Sequence, residues 1–192
     1  MVHQILGDQI GPGDICVDAT AGNGHDAGFL AGAVGARGVL YALDIKKEAV
    51  DATRQRLETD ESLADIHLIR RGHEQLVEVL DPKHIGQIRA IVFNLGFLPG
   101  GSRHIVTHAE TTIPGLEQSL TALAPEGLLS IMMYPGRPEG KIESNAVKKW
   151  VRTLDPHLFT ATNYCLLNRT ESAPSIVFVQ KMSSASLLPS CS

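Results

Sequence analysis

Hydrophobic and polar positions along this chain follow two periods in turn, and the changes between them predict its elements. Short aliphatic and β-branched runs at residues 15–19, 39–43, 66–70 and 88–94 read as strands. Between them, residues 25–34, 46–58 and 74–80 carry helical spacing. In the second of these, Val50, Thr53 and Leu57 recur three and four positions apart, as one buried face of a helix requires. Strands and helices in alternation imply right-handed βαβ units and a parallel sheet. The rhythm then changes. A glycine-rich loop (Gly96, Gly100, Gly101) leads into a helix over 111–123, a strand over 127–134 and a helix over 144–154. Strands over 159–166 and 175–180 close the pattern. Only residues 167–174 separate them, too few for a crossover helix, so this pair is expected to be antiparallel.

The expected fold is therefore α/β: a Rossmann-like, seven-stranded, mostly parallel sheet with a C-terminal antiparallel hairpin and helices on both faces. With no repeat, linker or low-complexity block, residues 1–182 are expected to form one domain, and serine-rich 183–192 a disordered tail. A length of 192 residues, 43% of them hydrophobic, suffices for one sizeable core. No apolar run approaches the ~20 residues of a membrane span. Met1-Val2-His3-Gln4 lacks the basic and apolar regions of an export signal. Cys16 and Cys165 fall in predicted strands as expected buried thiols, and Cys191 falls in the tail; a reducing, cytoplasmic compartment fits this odd, scattered set. A net charge of −4 and a pI near 6.0 exclude an obligate nucleic-acid coat. Arg70, Arg71, Arg103, Arg137, Lys141, Lys148, Lys149 and Arg152 still leave room for a local basic face.

Candidate chemistry begins at Asp18-Ala19-Thr20-Ala21-Gly22-Asn23-Gly24-His25-Asp26, which follows the first strand and opens the first helix. Gly22 and Gly24 permit a tight turn and close approach of a ligand to the backbone. The amides of the new helix N-terminus then face that ligand. Asp44 ends the next strand, about 20 residues beyond the glycines, where a carboxylate can accept hydrogen bonds from ribose hydroxyls. The bland reading of Asp44 is a cap for the following helix, and that of Asp18 a brace for the loop. The candidate cofactor set is Asp18, Thr20, Gly22, Asn23, Gly24, Asp26, Asp44 and Ile45, with His73 and Glu74 after the third strand and Asn94 after the fourth. Gly22 through Ala27 also satisfies the G-x-G-x-x-A pattern of NAD-binding folds. A dehydrogenase would continue with a second βαβαβ half and a substrate domain, for which the chain is too short. The closing hairpin favours S-adenosyl-L-methionine, and hence a class I methyltransferase.

The fourth strand ends in Phe93-Asn94-Leu95-Gly96-Phe97-Leu98-Pro99-Gly100-Gly101, at the strand end where parallel sheets bind ligands. Asn94 followed by an aromatic residue three places on resembles the Asn-Pro-Pro-Tyr loop of amino-group methyltransferases. The Asn94 amide oxygen and the Leu95 carbonyl can accept hydrogen bonds from an amine, and Phe97 can pack on a planar base. Together they would aim a nitrogen lone pair at a sulfonium methyl. Alignment of this kind can supply about 7–11 kcal/mol of a barrier. No cysteine lies nearby for C5 chemistry on a pyrimidine. His104 and His108 have i, i+4 spacing but no evident third ligand, so no metal is expected. After the fifth strand, Tyr134 can stack on or hydrogen-bond to a base, while Arg137 and Lys141 can hold phosphates; a solvated Gly/Pro turn is the bland alternative.

Across nearly its whole length the chain resembles the MnmM (YtqB) family, long labelled rRNA methylases. The resemblance rests on three pieces in order: the segment from Asp18 to Asp26, the segment from Phe93 to Gly101, and Pro138-Glu139-Gly140-Lys141. It implies N-methylation of the aminomethyl group of 5-aminomethyl-2-thiouridine at the tRNA wobble position, with tRNA as partner and a homodimer left open. The implied substrate-binding residues are Gly100, Gly101, Arg103, Arg137, Lys141 and Asn168, and the implied reacting-end residues Asn94, Leu95, Phe97 and Tyr134. There are departures. Pro135-Gly136-Arg137 stands where many members have His-Gly-His, so no role of those histidines carries over. Asn168 and Pro174 match an Asn-Gln-x-Asn-x-Pro-Pro pattern that Arg169, Glu171 and Ala173 do not. The N-terminal helix reads as shorter than usual, which leaves a processed form and an organellar eukaryotic member open. N-methylation of rRNA or of a small-molecule amine, and a non-catalytic cofactor-binding module, are the alternatives.

Overall fold

The computed structural model describes residues 1–60, 63–96 and 107–183. Its strands are β1 (Ile15–Asp18), β2 (Val39–Leu43), β3 (Asp65–Ile69), β4 (Ile88–Asn94), β5 (Leu123–Met133), β6 (Phe159–Tyr164) and β7 (Ser175–Lys181). They form one sheet in the order β3-β2-β1-β4-β5-β7-β6. The first five strands pair in parallel, and β7 runs antiparallel to both β5 and β6. The predicted fold is borne out, hairpin included.

Helices α1 (Val2–Gly7), α2 (His25–Val34) and α3 (Lys47–Thr59) cover one face; α4 (Leu76–Val79), α5 (Ala109–Ala122) and α6 (Pro138–Val151) cover the other. Successive strand residues point to opposite faces, and both faces are covered, so the central strands are apolar throughout rather than alternating. Val17, Tyr41, Ile91, Phe93 and Leu129 meet Leu76, Leu116, Val147 and Trp150 on the α4–α6 side. Cys16, Leu40, Ala42, Ala90 and Val92 meet Leu6, Leu30 and Leu57 on the α1–α3 side.

Several boundaries differ from the sequence pattern, each for a local reason. The helix expected over 74–80 divides into a 3-10 turn (His73–Gln75) and the short α4, because Gln75 leaves helical geometry at φ −108°. β5 starts at Leu123 rather than 127, with a register shift against β4 between Ile88 and Ala90 and a left-handed Glu126 (φ 64°) inside the irregularity. α6 starts at Pro138 rather than 144, since a proline in the first turn lacks an N–H that would be unsatisfied there anyway. Lys141 thus belongs to a helix and not to the loop. β6 is the edge strand and is exposed from Thr160 to Tyr164, so Cys165 just beyond it is exposed and not buried as expected; Cys16 is buried, and burial, with Asp14 nearby, pushes its thiol up to about 12. α1 went unmarked by periodicity. The tail from 184 onward, with Cys191, lies outside the described residues. Among those described, no helix is long and apolar enough to cross a membrane.

Candidate active site

The candidate residues gather at the carboxyl ends of β1, β2 and β4. Chain order reverses direction between β1 and β4, and such a switch point opens a crevice in a parallel sheet. The exit of β1 is stapled to both neighbours: the Ala19 amide donates to the Val92 carbonyl at 2.9 Å and the Ala21 amide to that of Leu43 at 2.8 Å. The glycine turn follows, with Gly22 at φ 54° and Gly24 at φ 75°. Gly24 caps α2 in a left-handed conformation, and a Cβ there would lie 2.8 Å from the Cα of Thr53. α3 clamps the turn from behind. Arg56 Nε donates to the Asn23 carbonyl at 2.9 Å, and Thr53 Oγ1 to that of Gly22 at 3.3 Å.

Asp44 serves the protein backbone with both oxygens, accepting from the Gly22 amide at 3.0 Å and the Lys46 amide at 2.9 Å. These contacts brace the turn ahead of α3, whose N-cap is Lys46, and they are compatible with ligand binding because each carboxylate oxygen has a further lone pair. Ile45 beside it is 51% exposed, an uncovered apolar side chain at the rim. Asp18 is fully buried. One of its oxygens accepts from the Thr20 amide at 3.2 Å, and Oδ2 has no hydrogen-bond partner among the described residues. Burial, reinforced by the negative charges of Asp26 and Asp44, pushes this carboxyl up to about 8, against the opposing pull of the Thr20 and Ala27 amides. An orphaned buried acceptor, three carboxylates in each other's field and an exposed apolar rim fit a cationic ligand with a ribose and an aromatic base. S-adenosylmethionine has all three features.

His73 and Glu74 open the 3-10 turn after β3. The His73 imidazole is buried edge-on against Phe93, ring centroids 5.4 Å apart, with burial holding its pKa below the ordinary value and Nε2 without a hydrogen-bond partner among the described residues. The Glu74 carbonyl accepts from Gln118 of α5.

At the reacting end, Asn94 is held twice. Its amide N–H donates to Thr20 Oγ1 at 2.7 Å, and its side-chain Nδ2 donates to Asp26 Oδ2 at 2.6 Å. The other Asp26 oxygen lies 2.5 Å from His3 Nε2. The Leu95 amide donates to the Met132 carbonyl at 2.9 Å, fixing the strand exit against β5. Tyr134, half exposed, flanks this exit: a Cβ on Gly96 would stand 3.7 Å from its ring. Partial burial and then the Asp26 charge hold its hydroxyl above the usual range, so it stays a neutral donor. The first turn of α6 folds back on the same residue. A Cβ on Gly140 would stand 2.2 Å from the Tyr134 carbonyl oxygen, so only glycine fits there. Arg137 and Lys141 stand exposed at the start of α6. Asn168 is exposed in the β6–β7 connection, which reaches the same edge. A Cβ on Gly136 would lie 3.5 Å from the Ser172 carbonyl of that connection. Phe97, Gly100, Gly101, Arg103 and His104 lie outside the described residues. Among those described, no group of three His, Cys, Asp or Glu side chains could hold a metal.

Sequence reasoning missed two features. Glu143, buried in α6, accepts from Thr107 Oγ1 at 2.8 Å and Thr112 Oγ1 at 2.6 Å, and Thr107 Oγ1 accepts the Gly96 amide at 2.7 Å. Burial raises the Glu143 carboxyl despite these hydroxyls. A carboxylate in the apolar stripe with Val147 and Trp150 was a readable flag. The His3 contact had no such signal. A recess of about 500 Å³ between α3 and β3, lined by Arg54, Leu57 and His67 among others, includes none of the site residues.

Residues 40–180 match the family model described as "Putative rRNA methylase". The chain belongs to this family. Over 189 residues it is 32% identical to the tRNA (mnm(5)s(2)U34)-methyltransferase, chloroplastic, of Arabidopsis thaliana, covering 94% of this chain and 68% of that relative. The solved structure of a "putative methyltransferase" from Streptococcus mutans in complex with SAH superposes with a TM-score of 0.83 at 33% identity, covering 94% and 96% of the two chains. An rRNA-methylase structure from Clostridium thermocellum gives 0.89 at 30% identity, covering 94% and 95%. The MnmM-like resemblance of the motifs is thereby borne out, and this rRNA-methylase family member is an S-adenosylmethionine-dependent methyltransferase.

Proposed function

We propose that the chain methylates the aminomethyl nitrogen of 5-aminomethyl-2-thiouridine at the wobble position of tRNA, giving the 5-methylaminomethyl product. The observation that carries this reading is the orientation of Asn94. With Nδ2 committed to Asp26, its amide leaves Oδ1 as the group available to a substrate, and an oxygen there accepts from an N–H donor. The Arabidopsis relative, a tRNA (mnm(5)s(2)U34)-methyltransferase, supports the same substrate position.

When bound, S-adenosylmethionine supplies an electrophilic methyl group. The chain's own residues have three tasks. Asp18, Asp44 and the Gly22–Gly24 turn hold the cofactor, Asp18 meeting its ammonium group and Asp44 its ribose hydroxyls. Asn94 Oδ1 and the Leu95 carbonyl orient the substrate nitrogen, and Tyr134 packs beside the base. Arg137 and Lys141 contact phosphates, a role that exposed Lys149 of α6 and Arg152 just beyond its end extend. The amine must be neutral to attack, and exclusion of water from the crevice lowers its pKa.

Incubation with labelled S-adenosylmethionine and tRNA carrying 5-aminomethyl-2-thiouridine, followed by nucleoside analysis, tests the reading. Label is expected in the methylaminomethyl nucleoside. Cofactor binding without that product overturns it, and label confined to rRNA or to small amines moves the activity to those substrates.

A further inference from the structure

We propose that Asp26 and His3 are positioning residues for methyl transfer, holding the Asn94 amide in the orientation that presents oxygen to the substrate amine. The inference rests on the reading of Asn94 as the amine's acceptor. A terminal amide is nearly symmetric in shape, so packing alone does not distinguish its oxygen from its nitrogen. A carboxylate does, because it only accepts hydrogen bonds. Asp26 Oδ2, 2.6 Å from Asn94 Nδ2, therefore selects one of the two orientations. The rejected one would turn an N–H₂ group toward the amine. Its donors would then hydrogen-bond to the lone pair that must attack the methyl group.

Asp26 is itself held in place. His3 Nε2 lies 2.5 Å from Asp26 Oδ1, and the His3 ring stacks flat on Phe29, centroids 4.1 Å apart and planes within 4°. α1 thereby reaches from the chain's first turn to the reacting end, joining residues 3, 26 and 94, which no local motif connects. Thr20 fixes the main chain of Asn94, so the amide's remaining freedom is the rotation that Asp26 restrains. Asp26 counted among the expected cofactor contacts. Both its oxygens are engaged by protein groups, and the part proposed for it here is exerted through Asn94.

The test is a mutant cycle on the full chain with the tRNA substrate, reading kcat and cofactor Kd separately. Asp26→Leu should lower kcat by about 10²-fold, the scale of a misaligned reacting group, while cofactor Kd changes less than about threefold. Asp26→Asn keeps an acceptor oxygen and should recover most of the loss. His3→Ala removes a partly exposed ring and should cost only a few-fold, without the folding risk of a buried change. In an Asn94→Ala background, Asp26→Leu should have no further effect on kcat. Additive losses, or a weakened cofactor Kd with kcat intact, would overturn the inference. A second readout needs no substrate. In the ¹⁵N-labelled protein one Asn94 side-chain amide proton should resonate downfield and revert in Asp26→Leu; ordinary shifts in the unmutated chain also overturn the proposal. Failure of the substrate reading would show differently, as a bound cofactor and no methylated tRNA.

Discussion

The carboxyl edge of the sheet carries two clusters built by different means. Between β1 and β2 the site is mostly backbone: a left-handed Gly22 and Gly24, amides at the start of α2, and Asp44 tied to the Gly22 and Lys46 amides. All of it lies within residues 18 to 46, and each part follows from a local conformational requirement. Beyond β4 the site is side chains from distant segments. Asn94 depends on Thr20 and Asp26, Asp26 on His3, and Gly96 on Thr107 and thence Glu143. A cofactor common to many enzymes can be met by a reusable turn. A particular amine needs acceptors aimed from several directions, and only tertiary structure supplies those.

This division makes opposite predictions for two substitutions. Asn94→Ala should cut kcat by about 10²- to 10³-fold, since it removes the group that aligns the amine, and leave cofactor affinity within about threefold. Asp44→Ala should do the reverse. Losing charge-assisted bonds to the ribose, and loosening the Gly22 turn with them, should weaken cofactor binding by about 10²-fold, or about 2.7 kcal/mol, with kcat at saturation changed less. Stopped-flow or calorimetric Kd beside steady-state rates separates the two. If Asn94→Ala weakened the cofactor and Asp44→Ala spared it, the functional split would be wrong.

The same contrast explains what could be read from the chain alone. Gly22, Gly24 and Asp44 were legible because a tight turn and a strand-end carboxylate constrain nearby residues. The sheet was legible because two covered faces demand continuous apolar strands, and the short 167–174 connection forced β6 and β7 to be antiparallel. Helix starts were less visible. Pro138 opens α6, but Gly140 within its first turn reads as a loop residue until the Tyr134 carbonyl is seen packed against it. Cys165 looked buried because strand position suggests burial, whereas β6 is an edge strand exposed along nearly all its length. His3 carried no signal, since its role exists only through contacts with Phe29 and Asp26.

Gly140 also provides a smaller, structural test of the reacting end. In Gly140→Ala the new methyl group would fall 2.2 Å from the Tyr134 carbonyl, which has to move. Overpacking of this kind costs about 1–3 kcal/mol. At about 2–4 °C per kcal/mol for a chain of this size, Tm should fall by several degrees. Turnover should suffer beyond the stability loss because Tyr134 moves with its carbonyl, whereas cofactor affinity should hold. An unchanged Tm would mean that α6 does not need glycine there.

A further effect is expected at the cofactor end, as a dependence on pH. Asp18 is pushed up to about 8 by burial and by the charges of Asp26 and Asp44, from an ordinary value of 3.8. Between those values the folded chain keeps a proton that the unfolded chain releases. The contribution of Asp18 to stability is therefore present in full below pH 3.8 and is lost as pH rises through about 8. One such proton changes stability by no more than about 1.4 kcal/mol per pH unit. Thermal melts of the cofactor-free chain between pH 5 and 8 should show the Asp18→Asn variant gaining on the unmutated chain as pH rises. A bound ammonium and sulfonium would lower the Asp18 pKa, so cofactor binding should release a proton and strengthen toward pH 8. The Asp18→Asn variant should lose that dependence. Parallel melting curves for the two chains across the range would mean that Asp18 titrates low in the folded state, its buried Oδ2 already satisfied without a ligand.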